Sequence, residues 1–274
     1  MPLREEQIER YLRHLILDGF GGTGQEKLLK SSVLVIGTGG LGSPACLYLA
    51  AAGVGRIGIV DGDVVEISNL QRQVIHHTSD LARAKVKSAA EKMQAINPDV
   101  TVVEHPFFLD HTNILDVVAG YDFVLDCTDG FPIKFLINDA CVLANKPFNH
   151  AGVLRWEGQT MTCLPWRSAS YRCVFRKAPD PGIVPSCAQA GVLGAMAGTL
   201  GTLQATEAVK YLLGTGELLE NRLLVYDSLR MRMRTVTVKR DPRWEAGAAH
   251  PDIVSLEPIS VAKNCTIESS EIHG

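Results

Sequence analysis

The sequence predicts an α/β protein: a mostly parallel sheet, extended by antiparallel C-terminal strands and preceded by an N-terminal helical arm. Three observations predict it. From residue 31 to 126, short apolar runs alternate with longer segments of helical periodicity, the β-α-β order of a sheet covered by helices. Those runs are continuously apolar, as in Ser32-Val-Leu-Val-Ile36, which suits parallel strands buried on both faces. After residue 147 the pattern changes to paired runs with Thr160 and Thr162 at every second position, which suits an antiparallel hairpin.

Residues 5–17 carry Ile8, Tyr11, Leu12, Leu15 and Ile16 at helical spacing, and Gly19, Gly21 and Gly22 end that helix. A short helix over 24–30 completes the arm, 1–30. The strand 32–36 turns through Gly37–Gly42 into a helix over 43–53. Arg56–Val60 is the next strand and ends at Asp61. A polar loop leads to a helix over 80–96, stopped by Asn97-Pro98. A strand over 100–105, a helix over 111–119, a strand over 122–126 and a helix over 131–144 follow. Strands are expected at 147–154 and 158–165, a polar loop at 167–186, and a long helix at 188–213. Strands 223–227 and 231–239 come last, the latter alternating Met231, Met233 and Thr235 against Arg232, Arg234 and Val236. Nothing reads as an inter-domain linker. A single domain over 1–274 is expected, with the arm at 1–30, the core at 31–240 and a tail without firm structure at 241–274.

Composition sets the outer limits. With 46% hydrophobic and 21% charged residues over 274 positions, the chain can bury a substantial core and is not disordered. A net charge of −3 gives no electrostatic case for nucleic acid or an anionic membrane surface. The most apolar stretch, Ala190–Leu203, is broken by Thr199 and Thr202 and followed by Gln204, Thr206 and Glu207, so it reads as a buried helix. Its glycines 191, 194, 198 and 201 suit close approach of another element. The N-terminus is charged and lacks an apolar signal core. Seven cysteines, odd in number and scattered, do not make a disulfide framework in so long a chain. A reducing, cytoplasmic setting is the expectation, with metal binding, catalysis and burial as their possible uses.

Gly37-Thr-Gly39-Gly-Leu-Gly42 fits GxGxxG, between a strand and a helix, the Rossmann-like arrangement in which backbone amides face phosphates. Asp61, at the end of the second strand, is placed to hydrogen-bond ribose hydroxyls. That much suits a nucleotide, NAD included, and leaves an oxidoreductase open. The loop that follows carries Asp63, Asn69, Arg72 and Gln73, with Lys85 at the next helix start. Hydride transfer has no need of such a cluster; chemistry at a triphosphate does. Taken singly, Arg72 and Lys85 could be surface charges, Asn69 a turn residue, and Asp129 in Asp126-Cys-Thr-Asp129-Gly130 a helix N-cap.

These motifs together, with Arg10-Tyr-Leu-Arg13-His, Asn97-Pro98, Ser186-Cys187-Ala-Gln-Ala-Gly and Gln204-Ala-Thr-Glu-Ala-Val-Lys210, resemble the MoeB/ThiF/HesA family of adenylyltransferases, relatives of ubiquitin-activating enzymes. The resemblance covers about 5–240. It implies ATP-dependent adenylation of the C-terminal glycine of a ubiquitin-fold sulfur-carrier protein ending in Gly-Gly, before thiocarboxylate formation. The carrier could belong to molybdopterin, thiamine or cysteine synthesis. By resemblance, Gly39 and Gly40 admit the nucleotide, Asp61 holds the ribose, and Asn69, Arg72 and Lys85 contact phosphates. Asp63 and Gln73 join them in the nucleotide site. Asp129 is the Mg²⁺ residue. Arg13 reaches the ATP of a neighbouring subunit, which implies a homodimer; without that role it is a surface charge pairing with Glu9. Cys187, before a helix, is either a reactive thiol in sulfur transfer or inert.

The pattern breaks in two places. Relatives hold a structural zinc with two Cys-x-x-Cys pairs, whereas this chain has Ser170-Tyr-Arg-Cys173 and, after Asp241-Pro242, Arg243-Trp-Glu-Ala-Gly247. Zinc is not expected, and Trp244 is expected to fill the space. Gly130 stands where relatives have Asn. A separate sulfur donor is expected. Other readings are an NAD-linked oxidoreductase, a non-catalytic relative that binds a carrier, and an enzyme adenylating a peptide or a tRNA base.

Overall fold

A computed structural model describes residues 2–179, 190–244 and 251–258. The arm comprises α1 (Glu5–Arg10), α2 (Leu12–Leu15) and α3 (Gly21–Lys30). The core runs β1 (Ser32–Ile36), α4 (Gly42–Ala52), β2 (Arg56–Val60), α5 (Lys85–Ile96), β3 (Thr101–His105), α6 (Ile114–Ala119), β4 (Phe123–Asp126) and α7 (Phe131–Leu143). It continues with β5 (Phe148–Leu154), β6 (Glu157–Cys163), α8 (Tyr171–Val174), α9 (Gly194–Leu213), β7 (Arg222–Asp227) and β8 (Arg232–Thr237).

The strands form one eight-stranded sheet in the order β3-β2-β1-β4-β5-β6-β7-β8. Pairings from β3 through β5 are parallel. Those from β5 through β8 are antiparallel. Alternate residues of each central strand feed opposite faces. Val33, Val35, Phe123 and Leu125 join α4, α5 and α9 in one core. Leu34, Ile36 and Val124 join α6 and α7 in the other. The expected fold class therefore holds.

Several boundaries differ from expectation for identifiable reasons. The helix expected over 5–17 breaks at Tyr11, which leaves α-geometry at φ −99°, ψ 13°. Its buried phenol accepts a hydrogen bond from Asn97 Nδ2 at 2.8 Å, and Arg10 Nη1 donates to Ile96 O at 2.8 Å. α5 starts at Lys85 and not at residue 80, because Ala82 sits at φ 65° and Asp80 is bonded to Arg83 and Lys92 instead of joining the helix. The polar loop contains the single turn α8. The alternation in β8 does not mark a buried face, since all its residues are exposed at the edge of the sheet. Of the glycines in the apolar stretch, a Cβ at Gly194 would meet Gln71 O and one at Gly201 would meet Leu41 O, whereas those at 191 and 198 meet no described atom within 4 Å.

Candidate functional site

The chain order reverses between β1 and β4, and the loops leaving their carboxyl ends face one crevice. Gly37 sits at φ +92°, where a Cβ would lie 3.0 Å from Cys127 O, so the two loops touch. At Gly42 a Cβ would collide with Gly37 O, so the turn closes on its own backbone as α4 begins. Asp61 Oδ2 accepts from both Thr38 N–H and Thr38 Oγ1–H at 2.9 Å, and its Oδ1 accepts from Asp63 N–H at 3.0 Å. Next to this anchor, the amides of Gly39 and Gly40 donate to no described residue. A Cβ at Gly40 would stand 3.1 Å from Ala197 Cβ and 3.5 Å from Arg72 Cγ, which leaves the backbone as the wall of the cleft.

The loop after β2 supplies the polar groups. Asn69 is buried in a 3₁₀ turn, its Oδ1 accepting from Glu66 N–H at 3.1 Å, so the turn-residue role is real whatever else it does. Arg72 Nη1 donates to Ser68 O at 2.9 Å while its stem lies over Gly40. Gln73 is buried beside Gly39, and its Oε1 has no hydrogen-bond partner among the described residues. A buried acceptor without a donor is a natural place for a ligand group. Lys85 is buried at the start of α5, its Nζ 3.0 Å from Asp63 Oδ2, so it is no surface charge. Its backbone N–H donates to Asp63 O at 3.0 Å.

The loop after β4 is built on a buried network. Asp126 accepts from Thr128 N–H at 3.1 Å and Thr128 Oγ1–H at 2.7 Å. Lys134 Nζ lies 3.2 and 3.1 Å from its two oxygens and His150 Nδ1 3.1 Å from Oδ2. Burial alone would raise the Asp126 carboxyl, but the Lys134 charge and the bonds from His150 and Thr128 hold it well below the usual carboxylate range. Burial, aided by Lys134, lowers His150 to about 4, so it is neutral near pH 7. Asp129 is exposed and makes no side-chain hydrogen bond to a described residue. It is not the N-cap of α7; that position is Gly130.

Arg13 is not in this crevice. The arm is tied to Ile96, Asn97 and Asp99, at the sheet edge where β3 begins, opposite the edge that holds Asp61 and Asp126. Arg13 is exposed and not paired with Glu9, because the break at Tyr11 takes the two off a continuous helix. Cys187 and Cys265 lie outside the described residues. Cys46, Cys127, Cys141 and Cys163 are buried, and burial pushes the Cys46 thiol up to about 12. At the knuckle where relatives are expected to bind zinc, Ser170 N–H donates to Cys173 Sγ at 3.4 Å. Arg172 pairs with Asp139 at 2.6 Å and lies 5.5 Å over the Trp244 ring, which packs on this knuckle.

Sequence reasoning missed three residues. Gln204 in α9 donates to Asp126 O at 2.9 Å, fixing the end of β4. Lys134 and His76 are buried polar residues whose partners come from distant segments. His76 Nδ1 meets Ser88 Oγ at 2.8 Å and Nε2 meets Thr38 O at 3.2 Å. Burial lowers it to about 4. Its place directly after Val74-Ile75, an apolar pair in the loop whose Ile75 is buried, was the one signal that could have marked it.

A model of the ThiF family matches residues 11–246. The chain is 45% identical to the SAMP-activating enzyme E1 of Haloferax volcanii, over 97% of this chain and 98% of that one. It is 48% identical to the probable adenylyltransferase/sulfurtransferase MoeZ of Mycobacterium tuberculosis, over 98% of this chain and 71% of that one. It is 45% identical to the sulfur carrier protein adenylyltransferase of Thermus thermophilus, over 89% and 92%. Among solved structures, E. coli MccB with ATP shares the fold at a TM-score of 0.72 and 23% identity, covering 85% of this chain and 72% of that one.

Proposed function

Because the chain belongs to the ThiF family, we propose that it adenylates the C-terminal glycine of a ubiquitin-fold sulfur-carrier protein. The carrier carboxylate attacks the α-phosphate of ATP, a P–O bond to the β-phosphate breaks, and pyrophosphate leaves an acyl-adenylate. An anion approaching a polyanion is disfavoured, so the site must supply positive charge and aligned donors. One observation supports the proposal: the open amides of Gly39 and Gly40 stand beside the Arg72 stem, Lys85 is held by the Asp63 that bonds Asp61, and Asp129, free of described partners, lies on the loop that touches Gly37.

In this reading Asp61, already held by Thr38, orients the ribose, while Asp63 restrains Lys85 until phosphate offers a stronger partner. Asn69, Arg72 and Lys85 face the phosphates, and Gln73 Oε1 accepts from the nucleotide. The residues present fit a magnesium ion, and Asp129 would hold it; when bound, Mg²⁺ supplies charge against the phosphate oxygens. Arg13 acts on the ATP of a second copy, and the exposed Ile8, Leu12, Ile16 and Leu17 of the arm support a homodimer. A separate protein donates the sulfur that turns the adenylate into a thiocarboxylate, with Cys187 as the candidate thiol on this side.

The test is exchange of radiolabelled pyrophosphate into ATP with a panel of Gly-Gly carrier proteins. Exchange with at least one is expected; exchange with none rejects the proposal. Arg13→Ala should lower exchange by about 1,000-fold while the dimer persists. Full exchange in that variant would remove the trans role of Arg13.

A further inference from the structure

The peptide between Thr38 and Gly39 precedes a residue without a Cβ, so the conformations that would turn its N–H away from the crevice carry little steric penalty. In a trans peptide the C=O and the N–H point in opposite directions. Whatever holds the Thr38 carbonyl therefore decides where the Gly39 amide points.

That carbonyl is held by His76, at 3.2 Å from Nε2; Ser43 Oγ also lies 3.4 Å from it, but the one hydroxyl hydrogen of Ser43 has the shorter acceptor in Gly39 O at 2.7 Å. A carbonyl only accepts, so Nε2 carries the hydrogen and Nδ1 accepts from the Ser88 hydroxyl at 2.8 Å. Ser88 Oγ in turn accepts from Lys92 Nζ at 3.1 Å, and Lys92 is paired with Asp80. The donors run in one direction, from Lys92 through Ser88 and His76 to Thr38. Asp61 grips the same threonine from the other side through its N–H and hydroxyl. Thr38 is fully buried with every polar group taken, while the Gly39 amide is left free of described partners.

We infer that His76 is a positioning residue for nucleotide binding: it fixes the Thr38 carbonyl inward and thereby turns the Gly39 amide toward the phosphates. His76 is buried behind Thr38 and acts through it. The inference rests on the crevice being an ATP site. It also gives the loop after β2 a double task, since the segment that carries Asn69, Arg72 and Gln73 also carries the latch.

The test compares ATP with adenosine, which lacks phosphates, binding to the full chain by calorimetry without carrier protein. His76→Phe should weaken ATP by about 10-fold and leave adenosine within about twofold, the scale of one lost hydrogen bond. His76→Gln, whose amide N–H reaches the place of Nε2, should restore most of the affinity. Ser88→Ala leaves the ring unanchored and should give a smaller loss of the same kind, which keeps the test open if the Phe variant folds poorly. Equal losses for ATP and adenosine, or unchanged ATP affinity in both His76→Phe and Ser88→Ala, overturn the inference. A wild-type chain that binds no ATP overturns the adenylation proposal itself.

Discussion

Two lysine–aspartate pairs flank the crevice, and they differ in what surrounds them. Lys134 and Asp126 are sealed, at 6% and 1% side-chain exposure. The pair itself is fully engaged: Asp126 also accepts from Thr128 and contacts His150, and Lys134 also donates to Ala151 O at 2.7 Å, while His150 Nε2 is left without a partner among the described residues. Lys85 is equally buried at 7%, but its partner Asp63 is 34% exposed and the pair opens on the cleft. A closed pair ties β4, α7 and β5 together. An open pair keeps a cation desolvated on one side and available on the other. Similar distances thus serve two purposes, and the second partner decides which.

The largest effect should come from Lys134→Met, which leaves the Asp126 charge buried and unpaired. Removing one partner of such a pair destabilises by about 3–5 kcal/mol, measurable by urea unfolding, with Lys134→Arg recovering much of it. Wild-type stability in the Met variant would mean the pair is not structural. Lys85→Ala should do the opposite: exchange falls about 100-fold while the melting temperature barely moves, since Asp63 reaches water. A large loss of stability there would erase the distinction between the pairs.

The smallest effect is in pH. His76 and His150 are both lowered by burial to about 4, so the unfolded chain binds protons that the folded chain refuses. Their contribution is complete above the ordinary histidine range near 6.5 and is lost as pH falls from there toward about 4. Asp126 behaves alike in a lower window, stabilising above the ordinary carboxylate range and failing as pH drops to its depressed value. Melting temperature followed from about pH 7.5 to about pH 4.5 should decline, and less steeply in His150→Asn. Identical slopes would mean that folding leaves the His150 titration unshifted.

The parts of the molecule that were legible in the sequence are those fixed by neighbours. The apolar run Ser32–Ile36 can only be a doubly covered strand, and Gly37 and Gly42 stand where backbone meets backbone. Asp61, Asp63, Arg72, Gln73 and Lys85 were legible as a set because one loop carries them to one edge. What escaped was fixed at long range. The break at Tyr11 depends on Asn97, the latch at His76 on Thr38 and Ser88, and the burial of Lys134 on His150 and Ala151. Periodicity within a segment holds no record of such partners. The edge strand β8 was legible as a strand, but its alternation shows two faces and not whether anything covers them.

Helix α9 has a consequence for how the molecule comes apart. Its backbone lies against Gln71 at Gly194 and against Leu41 at Gly201, and Gln204 grips the end of β4. The helix backbone itself packs on two of the three loops that form the crevice, and a buried side-chain hydrogen bond fixes the third. Such loops often fray on their own, but these belong to the same cooperative unit as the central sheet. The amides that these loops hold bonded, such as Gly37 N–H to Val60 O and Thr38 N–H to Asp61, should exchange only when the central sheet opens, so the frame of the site would stay assembled until the protein as a whole is lost.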